Sequence, residues 1–128
     1  MIASLQEAGF EVLIDVVLNH SGESDAGGPT LSLRGLDNPT YYRLNPEDPA
    51  RYIDDAGCGN ILRLDHPATL RLAMDALRAW ALYGGVDGFR FDLATTLARR
   101  AEGFDPHAPL LAAITQDPLL RDLKLIDI

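Results

Sequence analysis

Val12-Leu13-Ile14-Asp15-Val16-Val17-Leu18 is a near-continuous run of β-branched and apolar residues. Strands of a parallel sheet, buried on both faces, read this way, whereas a half-exposed strand would alternate. Residues 86–93 read as a second strand and residues 123–128 as a third. Between the first two, Leu70, Ala73, Met74, Leu77 and Trp80 fall on one helical face. Pro67 stands near that helix's start, with Asp65 or His66 as its cap, and Gly84-Gly85 ends it. Residues 2–8 read as the last turns of another helix, closed by Gly9. Parts of 94–100 and 110–120 read as a further helical region. Strands alternating with helices specify an α/β fold with a parallel sheet and right-handed crossovers.

Residues 19–66 are rich in Gly, Pro, Asn, Asp and Tyr and carry no sustained period of 2 or 3.6. A loop of this length inside a compact domain is uncommon and usually functional. In an α/β barrel, the long loops after strands build the active-site face. The 128 residues are enough for one core but too few for an eight-stranded barrel, which takes roughly 250. A helix beginning at residue 1 without a cap implies an element that starts earlier. The expectation is a piece of a barrel.

The net charge of −8 disfavours nucleic acid and anionic membrane as partners. No window approaches the ~20 apolar residues of a membrane span. Residues 1–18 lack the basic start of a signal peptide, and Gln6, Glu7, Glu11 and Asp15 interrupt their apolar stretch. The single cysteine, Cys58, permits no internal disulfide and fits a reducing, cytoplasmic setting. A catalytic thiol is disfavoured because no base lies near Cys58 in sequence.

Strand alternation puts Gly88, Arg90 and Asp92 on one face and Phe89 and Phe91 on the other. The Phe face suits packing against helices. The other face places a guanidinium and a carboxylate at the strand's C-terminal end, where barrel active sites lie. A carboxylate that attacks an anomeric carbon must be ionised, and a neighbouring Arg favours that form and fixes its orientation. The same pair also suits a structural ion pair bracing the sheet. Asp15, Asn19 and His20 end the first strand in a similar way, and suit either sugar hydroxyls or bracing of the loop. An Asp/His metal site is weakly indicated, and no metal or cofactor is expected. Tyr41, Tyr42 and Tyr52 suit stacking on sugar rings and equally suit a self-packed loop.

Taken together, the motifs resemble the α-amylase superfamily of glycoside hydrolases. Asp15-Val16-Val17-Leu18-Asn19-His20 resembles its first conserved region, and Asp87-Gly88-Phe89-Arg90-Phe91-Asp92 its second. Within it, Gly28-Pro29-Thr30, Arg34-Gly35, residues 38–44 and Gly57-Cys58-Gly59-Asn60 resemble the isoamylase-type debranching enzymes, those of bacterial glycogen breakdown most of all. The resemblance covers residues 1–126. It implies a partial (β/α)8 TIM barrel, its third to fifth strands, with an active-site loop at about 21–66. It further implies retaining hydrolysis of α-1,6 branch linkages in glycogen or related α-glucans. Asp92 is then the nucleophile, Arg90 holds it, His20 contacts the sugar beside the cleaved bond, and Asp15 and Asn19 organise the strand end.

One part of the pattern departs. The family's acid/base Glu follows Lys-Leu-Ile-Ala at the end of the next strand. Here that strand reads Lys124-Leu125-Ile126-Asp127-Ile128, so Ile128 occupies the Glu position. Asp127 is one residue early and faces the wrong way by alternation. The expectation is a truncated or frameshifted chain, inactive and poorly stable alone. Two alternatives remain: an α-glucan-binding remnant without catalysis, and a related superfamily enzyme acting on other linkages.

Overall fold

The structure is a computed structural model that describes residues 1–93, 97–100, 103–105 and 107–127. Strands β1 (Leu13–Val16), β2 (Gly88–Phe91) and β5 (Lys124–Asp127) form one parallel sheet in the order β1-β2-β5. In register, Asp15 lies opposite Arg90 and Arg90 opposite Ile126. Gly88 is required where it stands. A Cβ there would meet the Lys124 carbonyl oxygen at 2.2 Å, so any side chain would force β2 and β5 apart.

Helix α1 (Ile2–Glu7) closes as the sequence predicts. Gly9 adopts φ 87°, and the Phe10 N–H returns to the Leu5 carbonyl at 3.0 Å. The side chain of Gln6 pins α1 to the sheet, donating to the Gly85 carbonyl at 2.8 Å and to Asp87 Oδ2 at 3.0 Å. Helix α3 (Pro67–Ala79) follows the predicted apolar face. His66 caps it by accepting the Ala68 N–H, and Pro67 takes the first turn. A wider π turn, Trp80–Gly84, extends α3 to Gly85, which is left-handed.

Helix α4 (Pro109–Gln116) packs with α3 on the Phe face of the sheet. There Val16, Phe89 and Phe91 meet Met74, Leu77, Leu110 and Ile114, all buried. On the opposite face Asp15 and Ile126 are exposed and Arg90 is partly exposed.

One expectation is corrected and two are narrowed. First, the long segment after β1 holds a helix, α2 (Leu33–Tyr41), broken at Asp37 (φ −164°, ψ 86°). Each half is too short to show a period. Pro39 sits early in the second half, where its missing N–H costs nothing. Second, helix is not continuous through 94–100: Arg99–Arg100 (β3) pairs antiparallel with Gly103–Phe104 (β4). Residues 94–96 of that expected helix lie outside the described residues. Third, α4 ends at Gln116 and does not run to 120. Asp117 precedes Pro118, which disfavours helix, and takes an extended conformation (φ −75°, ψ 123°).

Candidate active site

The C-terminal ends of β1 and β2 form one rim. Asp92 follows β2 directly, and its N–H still donates to the Val16 carbonyl of β1 at 3.2 Å. Its backbone is therefore tied to the sheet while its side chain stands at the rim. Leu93, next in sequence, has φ 47°, a left-handed conformation that L side chains rarely adopt. Strain of this kind clusters at functional sites.

Arg90 is paired across the strands: its guanidinium donates to Asp15 Oδ2, and among the described residues no ion pair joins Arg90 to Asp92. Register explains this. Asp15 is the cross-strand neighbour of Arg90, at strand spacing, whereas Asp92 lies two residues further along. Asp92 Oδ2 instead receives the side-chain amide of Asn19 at 3.5 Å, a long contact. Asn19 is 1% exposed. A carboxylate only accepts, so the Asn19 nitrogen faces Asp92 and its oxygen faces His20. That oxygen accepts from His20 Nδ1 at 2.8 Å, which places a proton on Nδ1.

Behind the rim lies a buried polar network. Glu23 is 2% exposed, and its carboxylate accepts from the N–H groups of Leu31, Ser32 and Arg34 and from the hydroxyls of Ser32 and Tyr42. Burial pushes its carboxyl upward. The Tyr42 hydroxyl and the three backbone donors outweigh that and hold it at about 2. Burial raises the Tyr42 phenol to about 12, and its bond to Glu23 adds to the rise. Arg34 donates to the carbonyls of Glu23, Asp25 and Gly28 and lies 5.1 Å from the Tyr52 ring centre. Asn60, fully buried, accepts from the Ser21 N–H at 3.0 Å and donates to the carbonyls of Ser21 and Ser24. Gly59 beside it has φ 93°, and a Cβ there would meet the Asp25 nitrogen at 2.5 Å.

Sequence reasoning missed Glu23. A Glu between Gly22 and Ser24 in an acidic, glycine-rich stretch reads as solvated, and no periodicity marks it as buried. The possible stacking role of Tyr42 is excluded, because its ring is 0% exposed and packs edge-on against Tyr52 at 5.3 Å. In register Asp127 stands opposite Phe91, not Arg90, while Ile128 lies outside the described residues. A cleft of about 360 Å³ opens in the loop between Pro39, Tyr42, Leu44 and Ile53, and Asp92 is not in its walls. Among the described residues, no three His, Cys, Asp or Glu side chains gather as metal ligands do.

Comparisons with known proteins show what the chain is similar to. The glycogen debranching enzyme of Serratia proteamaculans is 53% identical over 125 residues, which is 98% of this chain and 18% of that protein. The glycogen operon protein GlgX homolog of Mycobacterium tuberculosis is 49% identical over 126 residues, again 98% and 18%. Over nearly its whole length the chain is similar to these debranching enzymes. It spans about 18% of the length of these curated relatives. Among solved structures, a pullulanase from Anoxybacillus sp. LM18-11 complexed with maltotetraose matches with a TM-score of 0.70 and 28% identity. The match covers 93% of this chain and 16% of that one. A Paenibacillus barengoltzii pullulanase complexed with maltohexaose and α-cyclodextrin matches with a TM-score of 0.65 and 28% identity, over 74% and 14%. No family model matches the chain. No helix among the described residues is long and apolar enough to cross a membrane.

Proposed function

We propose that this chain is the nucleophile-bearing segment of a cytoplasmic α-glucan debranching hydrolase, equivalent to the third to fifth strands of a (β/α)8 barrel. One observation carries the reading. Asp92, Asn19, His20 and the Asp15–Arg90 pair converge at one end of a parallel sheet, in a chain about half identical to glycogen debranching enzymes. The sheet order follows the chain and both described crossover helices cover one face, as in a barrel wall and unlike a doubly wound sheet.

In this reading the Asp92 carboxylate attacks the anomeric carbon of a branch-point glucose. A glycosyl–enzyme ester forms, water then hydrolyses it, and configuration is retained. His20 contacts a sugar hydroxyl, and Asn19 holds Asp92 and the imidazole at once. Arg90 has five N–H donors, so its bond to Asp15 leaves others to orient Asp92 once substrate is bound. Asp15 fixes Arg90 at the rim. A retaining mechanism also needs an acid/base carboxyl ~5–5.5 Å from the nucleophile. Asp127 stands in register with Phe91, one residue before Ile128 at the position of the family's acid/base Glu, so this reading assigns the acid to none of these 128 residues. The charge of −8 suits a neutral glucan better than nucleic acid or an anionic membrane.

The same lack of an acid favours a second reading, a glucan-binding remnant without catalysis. Both expect the chain alone to release no reducing ends from glycogen. Turnover by the chain alone that Asp92→Asn abolishes would overturn the need for an outside acid. Maltotetraose shifting the NMR signals of Asn19 and His20 supports a glucan site. No shift at millimolar sugar opposes it.

A further inference from the structure

His20 is steered from both sides. Before it, Asn19 is buried, its carbonyl accepts the Leu62 N–H at 2.9 Å, and its side chain holds the imidazole. After it, Ser21 is held at three points. Its N–H and carbonyl both bond the Asn60 amide, and its hydroxyl lies 2.6 Å from Tyr42 Oη. That last contact has a direction. Tyr42 has one proton, and at 2.6 Å from Glu23 Oε1 it must give it to the carboxylate, which can only accept. Ser21 therefore donates to Tyr42, while its oxygen also accepts the Glu23 N–H at 3.2 Å. Four bonds to Glu23 from Leu31, Ser32 and Arg34 tie it to the start of α2. The Tyr42–Ser21 arm is separate from these and runs toward His20.

We propose that Glu23 is a positioning residue for the sugar-contacting rim: its buried carboxylate orders the Tyr42 and Ser21 hydroxyls head to tail and so fixes the backbone that carries His20. The inference rests on the glucan-site reading for its consequence, though not for its geometry. Tyr42→Phe and Ser21→Ala each cut the arm and leave the four other bonds to Glu23 in place. Ser21→Ala does so from a half-buried position, so it decides the matter if Tyr42→Phe fails to fold.

The test uses the full, ¹⁵N-labelled chain, with His20 assigned from a His20→Gln variant. In both cut variants the His20 imidazole nitrogen signals and the Asn19 side-chain amide signal are expected to shift. The Leu31, Ser32 and Arg34 amides keep their exchange protection. Maltotetraose affinity falls about fivefold, the worth of roughly one hydrogen bond. Ser21→Thr, which keeps the hydroxyl, restores all three. Unmoved His20 and Asn19 signals in both variants would overturn the proposal, as would failure of the Thr variant to restore them. If the unmodified chain binds no maltotetraose, the glucan-site reading fails, and the His20 signals still decide the positioning role.

Discussion

At the scale of single residues, the rim is built from groups whose neighbours are set by distance along two strands. Asp15, Arg90 and Asp92 were legible because alternation assigns faces without knowledge of the fold. The partner of Arg90 was not, because register is a property of two strands and Asp15 is 75 positions away. Asn60 shows the same limit. Its three bonds reach back to Ser21 and Ser24, so composition marks it only as a loop residue. Asn60→Ala takes the partner from the Ser21 N–H and carbonyl in a buried site, while the Ser24 carbonyl keeps Arg34. It is expected to lower stability by about 2–3 kcal/mol, read as a drop in the urea midpoint at constant slope. An unchanged midpoint would mean that water replaces the amide.

At the scale of elements, α3 was readable from start to finish because period, cap and stop agree. Helix α2 was not, since its break at Asp37 leaves two pieces of about one turn each. The end of α4 followed from Pro118, a local signal that outweighs the apolar pattern continuing to Leu120. Two substitutions test how the elements hold together. Leu77 is 1% exposed, on the face of α3 that joins the core of Phe89, Leu110 and Ile114. Leu77→Ala is expected to cost about 3 kcal/mol through lost burial and the cavity left behind. Gly88→Ala drives a methyl into the Lys124 carbonyl and is expected to separate β2 from β5. Hydrogen exchange should then speed up at Phe89 and Ile126 while the amides of α3 stay protected. Uniform loss of protection would show instead that the sheet and helices open as one unit.

At the scale of the whole molecule, the described residues place a core on one side of the sheet and an exposed charged and apolar face on the other. Its outer strands, β1 and β5, each present one unpaired edge among the described residues. Its stability should depend on pH through the buried network. The Glu23 carboxyl is held at about 2 against an ordinary 4.5. The unfolded chain thus takes up this proton first as pH falls, and the contribution of Glu23, full above 4.5, is lost on the way down to about 2. Asp117 adds to the same acid limb. Burial raises its carboxyl, but the Leu119 N–H and Arg78 outweigh that and leave it below its ordinary value. Tyr42 works in the opposite direction. Its phenol is raised from 10.0 to about 12, so its contribution is full below 10 and lost as pH climbs to about 12. Urea midpoints should therefore fall below pH 4.5 and above pH 10, and Glu23→Gln should flatten the acid limb. The function proposed for the chain rests on Asp92, and one measurement reaches it most directly. The matching 125 residues of the Serratia proteamaculans enzyme are replaced by those of this chain, and reducing-end release from glycogen is measured with Asp92 intact and as Asn. The intact chimera should cleave branch points, and Asp92→Asn should lower that rate at least about a thousandfold while maltotetraose binding persists. A folded Asp92→Asn chimera that keeps its rate within about tenfold of the intact one would contradict the nucleophile assignment.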